Sequence, residues 1–273
     1  MNLPSANTLS FPKDGTAIDC ARFGSGARPL VLLPGLSFQR VRSAALTLAY
    51  MYRAFTKSHT VYVIDKKDTV PDGYTIRDIA DDTAYVMERL GITNADVFGV
   101  SQGGMIAQYL AIYYPGMVHK LALGVTASRP NRVMEEAVCG WIRMAEAGDY
   151  AAIVRDMLPK MYSAGYVKQY GWLLPLISRV GRPKPEGFTR FINLAKACLT
   201  CNSYPELHRI TCPTLVLGGR EDKVLTAEAS EETAGALGCK IYMYEGLGHA
   251  AYEEASDFNK RISLFLSDDT EGD

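Results

Sequence analysis

Six short apolar runs recur along the chain, at residues 30–33, 60–64, 95–100, 121–125, 214–217 and 240–244, and most are separated by enough sequence for a helix. They are nearly continuous in apolar character, whereas a strand with one wet face would alternate. Strands apolar on both faces belong in a sheet covered on both sides. The covering layers are also legible, because residues 43–55, 75–90, 103–114, 228–237 and 256–266 carry helical patterns. Thr75-x-x-Asp78 opens one of them as a capping box, and Gly91, Pro115-Gly116 and Gly238 mark helix ends. Strands alternating with helices predict an α/β fold with a mainly parallel sheet and right-handed crossovers. Ahead of this unit, residues 8–11 and 16–23, joined through Asp14-Gly15, predict an antiparallel hairpin.

One stretch breaks the alternation. Residues 129–204 hold no convincing strand, only helical patterns interrupted by Gly148, Pro159, Gly165, Pro175 and the Gly-Arg-Pro-Lys-Pro-Glu-Gly loop at 181–187. The segment follows the run at 121–125, so it should emerge at the carboxyl edge of the sheet, where open α/β sheets bind ligands. It is expected to act as a helical cap.

The chemistry concentrates in Gly99-Val100-Ser101-Gln102-Gly103-Gly104, where an apolar run meets a helical pattern. A strand-to-helix turn that tight needs small neighbours, and it presents the Ser101 hydroxyl alone at its tip. The N–H of Gln102 opens the next helix, where unpaired amides favour a developing negative charge.

A serine hydroxyl is a weak nucleophile without a base. Of the four histidines, His59 precedes a buried strand, His119 follows a helix end and His208 lies in a polar return segment. His249, in Glu245-Gly246-Leu247-Gly248-His249, sits directly after the last apolar run and is the expected base. The acid that orients it should come from Gly218-Gly219-Arg220-Glu221-Asp222, where spacing admits Glu221 or Asp222, with Asp222 preferred. A second oxyanion donor is expected in Pro34-Gly35-Leu36-Ser37, through the N–H of Leu36.

With these segments in chain order, the sequence resembles the α/β-hydrolase superfamily over nearly all its length. The resemblance rests on Pro34-Gly35-Leu36-Ser37, Gly99 to Gly104, Gly218 to Asp222 and Gly248-His249. It implies a Ser101, Asp222 and His249 triad with Leu36 and Gln102 as oxyanion donors, and it favours Asp222 over Glu221. It also implies a core of residues 1–128 and 205–273 with a cap at 129–204. The chain departs from the family in carrying Pro34-Gly35 where many members have His-Gly, which removes a side chain that often braces the loop.

The expected activity is hydrolysis of a carboxylic ester, lactone or thioester through an acyl-enzyme. The same triad would serve a carbon–carbon bond hydrolase or an N-terminal aminopeptidase, and the fold can also serve as a non-catalytic ligand receptor. A serine at the elbow argues against haloalkane dehalogenases and epoxide hydrolases, which use an aspartate there. Trp141, Tyr162 and Trp172 are the candidate substrate-binding residues in the aromatic-rich cap, with Met144, Met157 and Met161 nearby. The cap carries 11 Lys and Arg against 6 Asp and Glu, which leans toward neutral or acidic substrates.

A net charge of −1 and the lack of a basic stripe argue against a nucleic-acid partner. No apolar run is long enough to span a bilayer, and the start of the chain has neither the basic nor the apolar region of a secretory signal, so the expected location is cytoplasmic. The six cysteines are scattered through apolar segments and read as reduced core residues. Cys198-x-x-Cys201 has no second pair, so no metal and no cofactor is expected, and a homodimer is compatible with the sequence. The acidic tail at 267–273 reads as a frayed end.

Overall fold

The structure is a computed structural model and describes residues 5–173, 175–176 and 181–268; residues 1–4 and 269–273, and so most of the acidic tail, lie outside the described residues. Eight strands form one sheet: β1 (Asn7–Lys13), β2 (Thr16–Phe23), β3 (Arg28–Leu33), β4 (His59–Ile64), β5 (Ala95–Val100), β6 (Val118–Gly124), β7 (Thr214–Gly219) and β8 (Lys240–Tyr244). Their order is β1-β2-β4-β3-β5-β6-β7-β8. The β1–β2 hairpin turns through Asp14 and Gly15, both at positive φ, and β2 runs antiparallel to β4. All remaining pairs are parallel.

The helices cover both faces because adjacent residues of each strand point opposite ways. Leu30 and Leu32 of β3 join one core cluster with Val41, Ala45 and Ala49 of α1 (Val41–Met51). Val31 and Leu33 join the other, with α2 (Ile76–Arg89) and α3 (Gln102–Tyr113). The α2 capping box is formed: Thr75 Oγ1 accepts from Asp78 N at 3.2 Å and Asp78 Oδ2 accepts from Thr75 N at 2.8 Å. The edge strand β8 differs from the expectation of a strand covered on both sides. Ile241 and Tyr242 remain about one-third exposed, because β8 is the last strand of the sheet and has a neighbour on one side only.

Between β6 and β7 the described residues contain no strand. They form α4 (Arg132–Glu146), α5 (Tyr150–Met161), α6 (Ala164–Tyr170) and α7 (Pro185–Leu199). Their apolar residues, including Met134, Trp141, Phe191 and Leu194, merge into the cluster built by α2 and α3. Polar ties reinforce this seam. Arg190 on α7 pairs with Asp65 at 2.9 Å, both buried, and Asn193 donates to Val70 O at 2.8 Å. Beyond β7 come α8 (Ala227–Leu237), a single turn α9 (Ala251–Glu254) and α10 (Phe258–Ser267). Among the described residues no helix is long and apolar enough to cross a membrane.

Candidate active site

The strand order fixes where a site can form. From β3 the chain crosses to β4 on one side, and from β4 it passes back over β3 to β5 on the other. The loops after β3 and β5 therefore diverge and leave a crevice at their carboxyl ends.

Ser101 stands at the lip of that crevice with φ 54° and ψ −120°, a conformation that non-glycine residues adopt only under constraint. The constraint is visible on all sides. Its N–H donates to Gly124 O at 2.9 Å, its carbonyl accepts from Thr126 Oγ1 at 2.8 Å, and Met105 N closes the first turn of α3 onto the same carbonyl. The α3 start lies so close to β3 that a Cβ on Gly103 would sit 1.8 Å from Leu33 O. The loop after β3 also approaches closely, since a Cβ on Gly35 would sit 3.3 Å from Ser101 Cβ. Val125, just past β6, also has positive φ, at 44°, although it is β-branched and buried. The Val125 backbone is strained where the chain turns to bring Thr126 under the elbow.

Three side chains from three strand ends meet in a line. His249 Nε2 lies 2.9 Å from Ser101 Oγ, and His249 Nδ1 lies 2.8 Å from Asp222 Oδ2. The other oxygen, Asp222 Oδ1, accepts from Val224 N at 2.7 Å and Leu225 N at 2.9 Å. Burial alone would raise the Asp222 carboxyl, but His249 and the two N–H groups outweigh it and hold the group below the usual carboxylate range. An ionised Asp222 can only accept, so Nδ1 carries a hydrogen, and in the neutral ring this leaves Nε2 as the acceptor facing Ser101. Glu221, the other carboxylate that spacing admits, is exposed.

The other histidines are elsewhere. His59 and His119 bind opposite oxygens of buried Asp96, at 3.0 and 2.7 Å, at the amino end of the sheet. His208 bonds Pro205 O at 3.0 Å on the surface.

Leu36 and Gln102 both border the cavity beside Ser101. The N–H of Gln102 is the first of α3 and has no intrahelical acceptor. Its side chain is spent on structure: Nε2 donates to Leu194 O at 2.7 Å and contacts Cys198 Sγ at 3.0 Å, while the buried Oε1 has no partner among the described residues.

The cavity encloses about 60 Å³. Its walls are apolar: Met134, Val138 and Trp141 from α4, Met157 and Met161 from α5, and Val224 and Leu225 just beyond Asp222. Tyr252 and Met105 also line it, and among the described residues no Lys or Arg side chain borders it. Trp141 is the one aromatic cap candidate that the structure brings to the cavity, held by its Nε1 donating to Asp156 at 2.8 Å. Tyr162 and Trp172 lie away from the cavity. Tyr162 stacks on Tyr166 and donates to Glu253 at 2.5 Å, and Trp172 is 74 % exposed, so neither borders the cavity. Aromatic composition does not tell which face of a helix a ring occupies.

Residues that sequence reasoning passed over include Tyr252, three after His249, and Val224 and Leu225, two and three after Asp222. Their nearness in the chain to His249 and Asp222 is the available signal. Cys198, read as a core cysteine, borders the cavity, where burial pushes its thiol up to about 12 and keeps it neutral. Both Cys198 and Cys201 are free thiols. Among the described residues no cluster of three or more His, Cys, Asp or Glu side chains could hold a metal ion.

Known proteins share this arrangement of strands. The family described as alpha/beta hydrolase fold matches residues 48–256. RutD of Serratia proteamaculans, provisionally named a carbamate hydrolase, is 29% identical over 203 residues, covering 72% of this chain and 74% of that protein. The 3-oxoadipate enol-lactonase 2 of Acinetobacter baylyi is 22% identical over 216 residues, covering 77% and 78%. Among solved structures, MGS-M2, an alpha/beta hydrolase enzyme from a Medee basin deep-sea metagenome library, superposes with a TM-score of 0.85 at 22% identity, covering 97% of this chain and 99% of that one.

Proposed function

Since the chain belongs to the alpha/beta hydrolase fold family, we propose that it is a serine hydrolase that cleaves neutral carboxylic esters or lactones with a small apolar acyl group. The observation that carries this reading is the Asp222–His249–Ser101 hydrogen-bond line opening onto an apolar cavity.

In this mechanism Ser101 Oγ attacks the carbonyl carbon while His249 Nε2 takes its proton, and Asp222 stabilises the imidazolium. The N–H groups of Leu36 and Gln102 receive the oxyanion. One such donor is worth about 3 kcal/mol, or roughly 10²-fold in kcat. Collapse of the tetrahedral species expels the alcohol, which takes the proton back from His249. Water then attacks the acyl-enzyme, with His249 as base, and frees the acid.

The cavity lining supports the choice of a neutral acyl group. An acidic substrate would bury a carboxylate against methionines without a cation, at a cost of several kcal/mol. The excess positive charge of the insertion does not change this, because three of its cations already pair with acids outside it: Arg129 with Glu232, Arg190 with Asp65 and Lys196 with Asp72. Carbamate and enol-lactone chemistry, which the names of the two relatives carry, would pass through the same tetrahedral species.

The test is mass spectrometry of the protein treated with a fluorophosphonate, beside a substrate panel. The expected result is one adduct on Ser101, its loss in Ser101→Ala, and turnover of p-nitrophenyl acetate and butyrate well above a succinate half-ester. An unlabelled Ser101 together with tight binding of an intact ester would instead identify a receptor. Preference for the succinate ester would refute the neutral acyl group.

A further inference from the structure

Lys66 is a buried cation that the reaction as described does not use. It lies two residues past β4, and its Nζ donates to Pro34 O and, at 2.8 Å, to Gly35 O. Among the described residues no carboxylate lies within ion-pair distance of Nζ, since neighbouring Asp65 is engaged by Arg190 and Arg40. Burial pushes the Lys66 ammonium down to about 8, against the attraction of Asp65. Taking an ammonium out of water for two neutral carbonyls is costly, and an apolar side chain could fill the same space.

What distinguishes these carbonyls is the peptide they belong to. Gly35 C=O and Leu36 N–H are the two ends of one planar unit, so they point in opposite directions. Gly35 and Leu36 border the cavity at Ser101, whereas Pro34, Gly35 and Lys66 border a separate cavity behind the loop, with Arg40 and Arg190. Anchoring the carbonyl to Lys66 behind the loop therefore turns the Leu36 N–H away from Lys66, on a loop that borders the cavity at Ser101. A positive charge on the oxygen also draws electron density out of the amide, and hydrogen bonds in such a chain strengthen one another.

We propose that Lys66 is a positioning residue for the oxyanion site, which fixes and polarises the Gly35–Leu36 peptide so that the Leu36 N–H meets the oxyanion without rearranging. The inference rests on the acyl-transfer reading above. Lys66 touches no substrate, so its effect belongs to the transition state rather than to binding.

The experiment compares wild type, Lys66→Met and Lys66→Gln with p-nitrophenyl butyrate and with an alkyl trifluoromethyl ketone, which forms a tetrahedral oxyanion adduct on a serine. Lys66→Met should lose roughly 10- to 100-fold in kcat, somewhat less than removal of the donor itself, with KM nearly unchanged. Affinity for the ketone should fall by the same factor. Lys66→Gln, which keeps a neutral donor, should fall between the two, and it carries the test if the Met variant does not fold. An unchanged kcat in either folded variant, or a raised KM with intact kcat, overturns the role of Lys66. A wild-type protein that neither turns over the ester nor forms an adduct at Ser101 overturns the acyl-transfer reading instead.

Discussion

Asp222→Asn should lower kcat about 10⁴-fold, equivalent to about 5.5 kcal/mol of transition-state stabilisation, in a protein that still folds. The size follows from the bonding of each oxygen. Oδ1 holds the N–H groups of Val224 and Leu225, and the carbonyl oxygen of an asparagine can keep both. The amide nitrogen is then left facing His249 Nδ1, where Oδ2 accepts at 2.8 Å in the native protein. Two donors cannot share that line, so the imidazole moves its hydrogen to Nε2 and donates to Ser101 instead of accepting from it. The base is lost although every atom stays near its place. The assay is initial-rate hydrolysis of p-nitrophenyl butyrate with active sites counted by fluorophosphonate, and a thermal melt to check folding. Glu221→Gln is the control, because that side chain faces solvent. An Asp222→Asn protein that keeps more than about a tenth of native kcat, or a larger loss in Glu221→Gln, would refute the assignment.

The remaining predictions concern the helical insertion and the buried carboxylate that it pairs with. Arg190→Met leaves Asp65 with less compensation and strands the carbonyls of Lys66 and Lys67, to which Arg190 also donates, so chemical denaturation should report a loss of about 3–5 kcal/mol. Burial would raise the Asp65 carboxyl, but Arg190, Arg40, Lys66 and the Val41 N–H hold it low. Its contribution is thus full above its unfolded value near pH 4 and is lost as pH falls through the lower folded value, so Asp65→Asn should melt earlier at neutral pH and lose less on acidification. Trp172→Ala should leave turnover unchanged because the ring is exposed, whereas Val138→Phe should depress turnover of butyrate more than acetate by filling the cavity; a reversed pattern in the ester series would show that the acyl group binds elsewhere.

The α/β architecture and the Ser101–His249 pair were legible in the sequence because each rests on a local rule. Continuous apolar runs report burial on both faces, as in β3 to β7, and glycines around a serine report a turn that nothing larger can make. The insertion was legible as helices, since the missing strand signal spans 129–204, but its faces were not. Trp141 and Trp172 are the same residue type in the same insertion, and one borders the cavity while the other faces water.

The sequence by itself determined the order of strands and helices, the tight elbow at Ser101 and the place of His249 just after the last strand, because these depend on residue type within a few positions of one another. Only the tertiary structure shows that Asp222 and not Glu221 meets His249, because the two differ in the direction of a side chain. It also decided which apolar residues wall the cavity. The tie between Lys66 and Gly35 spans 31 residues and joins the ends of two neighbouring parallel strands. No local pattern records such a contact, because it exists only once the sheet has set the strands side by side.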